Sequence, residues 1–520
     1  VADLKSQANE RLAECREEKA TISAEIEEAY FFSAPRRVRA STSRSHSKSK
    51  PKDDAELMTS FAGEVADDFA EMLMSSFTPP EADWAERKIM GLDDARAAQF
   101  NEQAKKDDKK IFGMIRASNY YAEKGKLAVP DAAIGVVSLM IDSMGNDRPV
   151  NCRGIPIREL EFNLGPDGRI DDRWECRQTR YRYLPALLPD VDFAKFPKLA
   201  KKIRDEGKKS VMVQWGFWRL WDRRDDEVWQ HVVLVGDELV FDGELVGQGA
   251  CPMVVGRFGA TPDFAWPDGP MLKVLPELRQ LDYSREAIVE NIDFRNRPPR
   301  AYEDDGVINL EGGVEPGMFY PKRAAQGRTI FENIFDPGEI DVAMLDEANL
   351  KDRIRRMHYV DYPEQKGKTP PSASQWLDEM VLKQRRIGTP GHSFWREEPF
   401  ETFQRFRFIA EQRGTIQKIK VPGGASLQPY NPAQRAFENQ EVLTGTRFAQ
   451  IGASIFPQTW QVAVDELQTL ANFKQKLGDE IVVLRSKEDI AEKTEQLASL
   501  AGVFGPRLPG GAQGQGDGSQ

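Results

Sequence analysis

The sequence predicts an α+β protein, mostly helical, with its strands gathered in the middle of the chain. Three observations carry this. Long stretches on either side place apolar residues at steps of three and four, the period of a helix with one buried face. A central region, "SVMVQWGFWRLW" (210–221) and "VWQHVVLVGDELVFDGELV" (228–246), is rich in Val, Trp and Phe, which suit a pleated, half-buried surface. Charged residues make up 30% and hydrophobic ones 40% of the 520 positions, a globular balance with roughly three domains' worth of chain.

The first helix is expected over 3–32, with Ala8, Leu12, Cys15, Lys19, Ile22, Ile26 and Ala29 on one stripe that Lys19 interrupts. Such a stripe packs on its own domain more readily than it forms a separate coiled coil. "APRRVRASTSRSHSKSKPK" (34–52) follows, with seven Arg and Lys and no acid. It is read as a mobile loop, either solvated or meeting phosphate through Arg36, Arg37, Arg39, Arg44, Lys48, Lys50 and Lys52.

The next helix is expected from Asp53, capped in concert with Glu56, with Leu57, Phe61, Val65, Phe69, Leu73 and Phe77 on its buried face. Pro79 and Pro80 end it. Residues 94–123 read as a polar helix with Ile111, Phe112 and Ile115 inward, and 130–143 as a buried helix or strand. Gly236-Asp237 marks a hairpin turn, and "CPMVVGRF" (251–258) a further strand.

Helical periodicity returns at 269–297, where Leu281, Ile288 and Ile292 share a face before Pro298-Pro299. Residues 300–338 carry short strand-like runs, too few for a core of their own. A helix over about 340–358 comes back with Ala343, Leu350, Ile354 and Met357 along one side. After the loop "VDYPEQKGKTPP" (360–371), Ser372 and Gln375 cap a helix carrying Trp376, Met380 and Ile387. It breaks at Gly388, Pro390 and Gly391, and another starts near Pro399 with Phe400, Phe403, Phe406 and Ala410 inward. Helices are expected at 433–451, 458–477 and 487–501, then a Gly-rich unstructured end.

Composition narrows function. A net charge of −11 and a pI near 5.3 argue against tight non-specific DNA binding, which comes from cations displacing counterions. Cys15, Cys152, Cys176 and Cys251 lie far apart, so neither a zinc site nor a disulfide framework is expected, and a reducing compartment fits them. No apolar run of about 18 residues occurs, and "VADLKSQANERLAECREE" does not read as a signal peptide.

His46, His231, His358 and His392 stand in no metal-ligand or triad spacing. His231 is expected to pack within a strand and His358 to cap a helix end. No phosphate-loop motif occurs, and no cofactor, metal or catalytic residue is assigned. Glu244, in "GDELVFDGELV", would belong to a carboxylate-pair hydrolase as the enzymatic alternative. A nucleic-acid-binding module using 36–52 is another.

Three segments carry a resemblance: "YFFSAPRR" (30–37), "FAEMLMSSFTPPEADW" (69–84) and "TPPSASQWLDEMVLKQRRIGTPGHSFWREEPFETFQRFRFI" from residue 369. In this order, over about residues 25–420, the chain resembles the portal, or head-to-tail connector, proteins of short-tailed bacteriophages. The resemblance implies a non-enzymatic ring of about twelve copies around a channel for double-stranded DNA. It implies a wing at 1–265 with a long kinked helix at 373–400, and stem helices at 269–297 and 340–358. It also implies a clip at 298–339, a channel loop at 360–372, a helical crown at 401–503 and a flexible tail at 504–520. Lys366 and Lys368 become candidates for touching DNA in the channel, and Leu281, Ile288, Ile292, Leu350 and Ile354 for stem packing. The implied partners are other copies of the chain, the major capsid protein, a scaffolding protein, the terminase motor and a tail adaptor. The implied location is a capsid vertex of the virion, after assembly in the host cytoplasm.

Overall fold

The computed structural model describes residues 2–37, 57–89, 94–143, 150–223, 227–303, 316–322, 331–333, 340–360, 387–388, 390–417, 425–429, 432–455, 464, 469–470 and 473. The fold is α+β and mostly helical. The chain forms two compact units, Val1–Asn431 and Pro432–Gln520.

In the first unit, α1 (Ala2–Ala20) and α2 (Ser23–Ser33) replace the single expected helix. They break where the Thr21 hydroxyl donates to the Glu18 carbonyl at 2.7 Å. Next come α3 (Phe61–Phe77), β1 (Ala85–Ile89), α4 (Asp94–Ala117), α5 (Tyr120–Gly125), β2 (Val136–Ser143), β3 (Val150–Gly154), β4 (Leu160–Leu164) and β5 (Ile170–Arg180). The short helices α6 (Leu184–Leu187) and α7 (Pro197–Asp205) precede β6 (Ser210–Arg219), β7 (Val228–Val235), β8 (Glu238–Val246) and β9 (Met253–Arg257). Then follow α8 (Pro270–Lys273), α9 (Leu275–Asn296), β10 (Arg300–Glu303), β11 (Phe319–Lys322), β12 (Phe331–Asn333), α10 (Ile340–Met357), α11 (Pro399–Gln412) and β13 (Ala425–Pro429). The second unit contributes α12 (Pro432–Ile455), which exposes Phe448, Ile451 and Ile455.

Helix α3 starts later than its periodicity predicts. The backbone before it is engaged elsewhere: the Met58 N–H donates to Asp282 Oδ1 at 2.9 Å, and the Phe61 N–H to the Thr59 hydroxyl at 3.2 Å. The predicted face of Phe61, Val65, Phe69, Leu73 and Phe77 is buried, and Leu57 packs on it from a non-helical segment. Asp53 lies outside the described residues. The expected helix at 269–297 is interrupted at Val274, because Pro276 at the start of α9 has no N–H to continue α8.

Strands β4 to β8 form an antiparallel meander in sequence order. Its period-2 alternation divides two cores. Val211, Val213 and Phe217 of β6 face the main core. On the other face Trp174, Cys176 and Trp218 pack under Ala8, Leu12 and Cys15 of α1, the predicted stripe. The two indoles stack at 5.8 Å. Gly216 pairs with Trp174 across the sheet, and a Cβ there would lie 2.4 Å from the indole ring. Lys19, which interrupts the stripe, donates to the Ile157 and Leu160 carbonyls at 2.8 and 2.7 Å.

Strand β9 does not join this meander. It pairs with β2 in a second antiparallel sheet, ordered β3-β2-β9. Strand β13 pairs with β1, so residues 425–429, expected with the crown, lie in the first unit.

Candidate functional site

The feature with the clearest outward face is the helix pair α9 and α10. Their ion pairs set an antiparallel register: Glu277 meets Arg353 at 3.0 Å, and Arg285 meets Glu347 at 3.3 Å. Lys351 adds a 2.6 Å bond to Glu347, and both cations hold that carboxyl below its ordinary pKa. Leu281 and Ile288 of α9 and Leu350 and Ile354 of α10 are buried. Ile292, expected to share that face, is exposed within the subunit, as are Tyr283 and Val289 on α9 and Met344, Leu345 and Met357 on α10. At the far end, β10 pairs in parallel with β11 and antiparallel with β12. Met318 and Phe319 are exposed there.

The near end of the pair is tied to the body. Arg279 grips Glu28 of α2 through two bonds of 2.5 and 2.6 Å, and Arg355 meets Glu64 of α3 at 3.3 Å. His358 follows α10 and is fully buried against Phe69. Burial lowers its pKa to about 4, so the ring is neutral, and Nδ1–H donates to the Ile354 carbonyl at 2.9 Å. This is the helix-end role that its position suggested.

A second anchor is the run "WREEPFETFQRF" at 395–406. Residues 390–397 are helical, Glu398 makes the turn, and α11 starts at Pro399. Glu397, Glu398, Glu401 and Arg405 of this junction each go to a different element. Glu397 is bidentate with Arg257 of β9, and Glu401 with Arg173 of β5 at 2.6 and 2.8 Å. Arg405 donates to the carbonyls of Ile141 and Ala250 at 2.9 and 2.7 Å. Glu398 accepts from Lys124 and from the Tyr120 hydroxyl, both at 2.7 Å, and Lys124 also donates to the Thr78 hydroxyl at 2.9 Å. Burial lowers the Lys124 pKa against the pull of Glu398, and burial raises that of Tyr120. Trp395, Phe394 and Phe403 complete an edge-to-face aromatic cluster with Trp84, Phe77 and Phe112. Gly256 permits the close approach, since a Cβ there would lie 2.3 Å from Glu398 Cβ.

The segment "YFFSAPRR" builds a third cluster. The Tyr30 hydroxyl and both Arg37 nitrogens converge on Asp131 and the Val129 carbonyl, with Arg37 Nη2 at 2.9 Å from Asp131 Oδ2. Arg158 lies over the Tyr30 ring at 3.7 Å. Thus Arg37, a candidate for phosphate or scaffold contact, already holds partners within the subunit.

The geometry therefore presents two buried polar clusters and an antiparallel helix pair that leads into a three-stranded sheet, with apolar residues exposed on both. The family model for bacteriophage head to tail connecting proteins matches residues 5–374. The chain belongs to this family. No curated protein matches it. As a connector it is a component of the virion, between head and tail, and interacts with both.

Other candidate residues of the connector fall as follows. Arg36 is exposed at the end of the described N-terminal segment. Arg39, Arg44, Lys48, Lys50, Lys52, Lys366 and Lys368 lie outside the described residues, as do His46, Trp376, Met380, most of the proposed loop at 360–372, and 474–520. His231 lies in β7, stacked on Phe217 at 4.5 Å, with its pKa lowered to about 4 by burial. Glu244 is exposed on the edge strand β8 and pairs with Arg223 at 2.8 Å. Among the described residues no group of three or more His, Cys, Asp or Glu is placed to hold a metal, and no helix is long and apolar enough to cross a membrane.

The charged ladder of 397–405 escaped the sequence reading. Its signal was available: three acids and an arginine interleaved with aromatics along 397–405, a pattern that asks for partners inside the fold.

Proposed function

We propose that the chain is a ring-forming portal at a capsid vertex, a non-enzymatic conduit for double-stranded DNA during packaging and ejection. In this reading it docks the packaging motor and later the tail adaptor. The observation that carries it is the α9–α10 pair. Its inner side is already filled by Leu281, Ile288, Leu350 and Ile354, yet both helices keep apolar residues outward: Tyr283, Val289 and Ile292 on one, Met344 and Leu345 on the other. Neighbouring copies of the same pair would cover these residues, each presenting one face and receiving another, as a closed ring requires. About twelve copies are proposed, with α9 and α10 as stem, the β10–β12 region as clip, and Lys366 and Lys368 in a channel loop. A bore lined by an acidic chain lets duplex slide rather than stick.

The test is assembly. Negative-stain images of the purified protein are expected to show rings with a central hole. Joint Ile292→Asp and Leu345→Asp changes are expected to leave subunits that unfold as the parent does but form no rings. A parent that remains monomeric at high concentration, or rings unaffected by both substitutions, would refute the reading.

A further inference from the structure

Strands β5 and β6 are adjacent and antiparallel, and their pairing runs to Arg180 opposite Ser210. A two-residue turn suffices to join such strands. Instead, residues 181–209 stand between them and include α6 and α7. This insertion keeps a small apolar foot, with Leu184, Leu188 and Leu199 buried. Its outer side is cationic: Arg182, Lys195, Lys198, Lys201, Lys202 and Lys208 are all exposed.

Solvated helix faces commonly balance their charges at spacings of three and four. Helix α7, "PKLAKKIRD", has no acid before its last residue. The nearby acids are largely engaged: Asp205 with Arg204 at 3.1 Å, Glu206 with Lys209 at 2.9 Å, and Asp192 with the Ala194 N–H at 3.1 Å. Among the described residues, the ammonium groups of Lys195, Lys198, Lys201 and Lys208 make no ion pair or hydrogen bond. A chain of net charge −11 thus concentrates unneutralised cations on one insertion.

We infer that the β5–β6 insertion binds the phosphate backbone of nucleic acid without reading its sequence. Lysine predominates over arginine here. Lysines are point charges on flexible stems and suit a repeating array of phosphates, whereas fixed bidentate capture of carboxylates, as on an acidic protein segment, favours arginine. Lysines that bond phosphate oxygens position a duplex without carrying sequence information. The inference concerns one subunit's surface and holds whether or not rings form.

The experiment uses the full chain and a short labelled DNA duplex of mixed sequence, followed by fluorescence anisotropy across a salt series. The parent is expected to bind at low salt. Changing Lys195, Lys198, Lys201 and Lys202 together to Gln is expected to weaken binding at least about tenfold and to reduce the log–log salt slope by about 3 to 4. The same loss is expected when Arg39, Arg44, Lys48, Lys50 and Lys52 are already Gln, which separates this surface from the basic N-terminal segment. In the parent, duplex is also expected to protect Lys198 and Lys201 from chemical acetylation, a measurement independent of how the variant folds. No binding by the parent, an unchanged slope in the four-lysine variant, unprotected lysines, or tighter binding of poly-glutamate than of duplex at equal salt would each overturn the inference.

Discussion

Lys124 Nζ lies 2.7 Å from Glu398 Oε2, and both side chains are almost completely buried. The pair joins α5 to the turn at which one helix ends and α11 begins, 274 residues away in sequence. Thr78 and Tyr120 satisfy the remaining bonding capacity, so the cluster is closed. A buried pair of this kind fixes one arrangement of the elements around it, because any other would leave a charge without a partner.

Removing one partner is therefore expected to be severe. Lys124→Met or Glu398→Leu alone should destabilise the first unit by about 3–5 kcal/mol. The double variant should recover much of that loss, since no charge is then orphaned. Urea unfolding of the three variants measures the coupling; additive losses would show that the pair does not act as a unit.

Gly216→Ala tests the sheet face beneath α1. The new Cβ would meet the Trp174 ring at 2.4 Å, and the stacked Trp218 limits where the indole can go. An overpacking loss of about 1–3 kcal/mol is expected, with a change in near-ultraviolet circular dichroism from the displaced tryptophans. A variant as stable as the parent would mean that the indole has room to move.

The pH dependence rests on two opposing sets. Burial holds His231 and His358 near 4, below the ordinary 6.5. As the pH falls through that window the unfolded chain gains protons that the folded chain refuses, so these rings make stability fall with pH. Burial lifts Asp108 and Asp172 to about 6 from 3.8, over the opposing pull of Arg87 and Arg11. There the folded chain keeps protons that the unfolded chain has lost, so stability falls as the pH rises. Relative to the parent, His358→Gln should tilt the stability profile toward lower pH and Asp172→Asn toward higher pH. Each change in slope is at most about 1.4 kcal/mol per pH unit. Unfolding midpoints between pH 4.5 and 6 check this (about the window these shifts define), and parallel profiles would contradict it.

Arg37→Ala should destabilise the body by about 1–3 kcal/mol, because Asp131 is buried and loses its cation. Arg37→Lys should restore only part, since one ammonium cannot serve both Asp131 and the Val129 carbonyl as the planar fork does. A neutral Arg37→Ala would return this residue to the outward role expected for its neighbours.

Much of the helical plan was legible because it depends on spacing. The stripe of Ala8, Leu12 and Cys15, the face from Phe61 to Phe77, and the inward Phe403, Phe406 and Ala410 are all buried where their periods place them. The hairpin at Gly236-Asp237 was equally clear, since Gly236 adopts a positive φ of 60°. Boundaries were less so: Thr21, Thr59 and Pro276 end or delay helices through hydrogen bonds and a missing N–H whose effects compete with a continuing apolar pattern.

By itself the sequence determined the class of fold, the order of its helices and strands, and the family resemblance, because periodicity and motif order are local properties of the chain. Only the tertiary structure decided that β9 leaves the meander for β2, that β13 crosses to β1, and that Arg37 turns inward. It also decided which cations are matched and which are not. Glu397, Glu398 and Glu401 find Arg257, Lys124 and Arg173 across more than a hundred residues, while Lys198 and Lys201 of α7 find no acid among the described residues. Charge pairing at that range depends on distance in space and on burial, and neither is written in the spacing of residues along the chain.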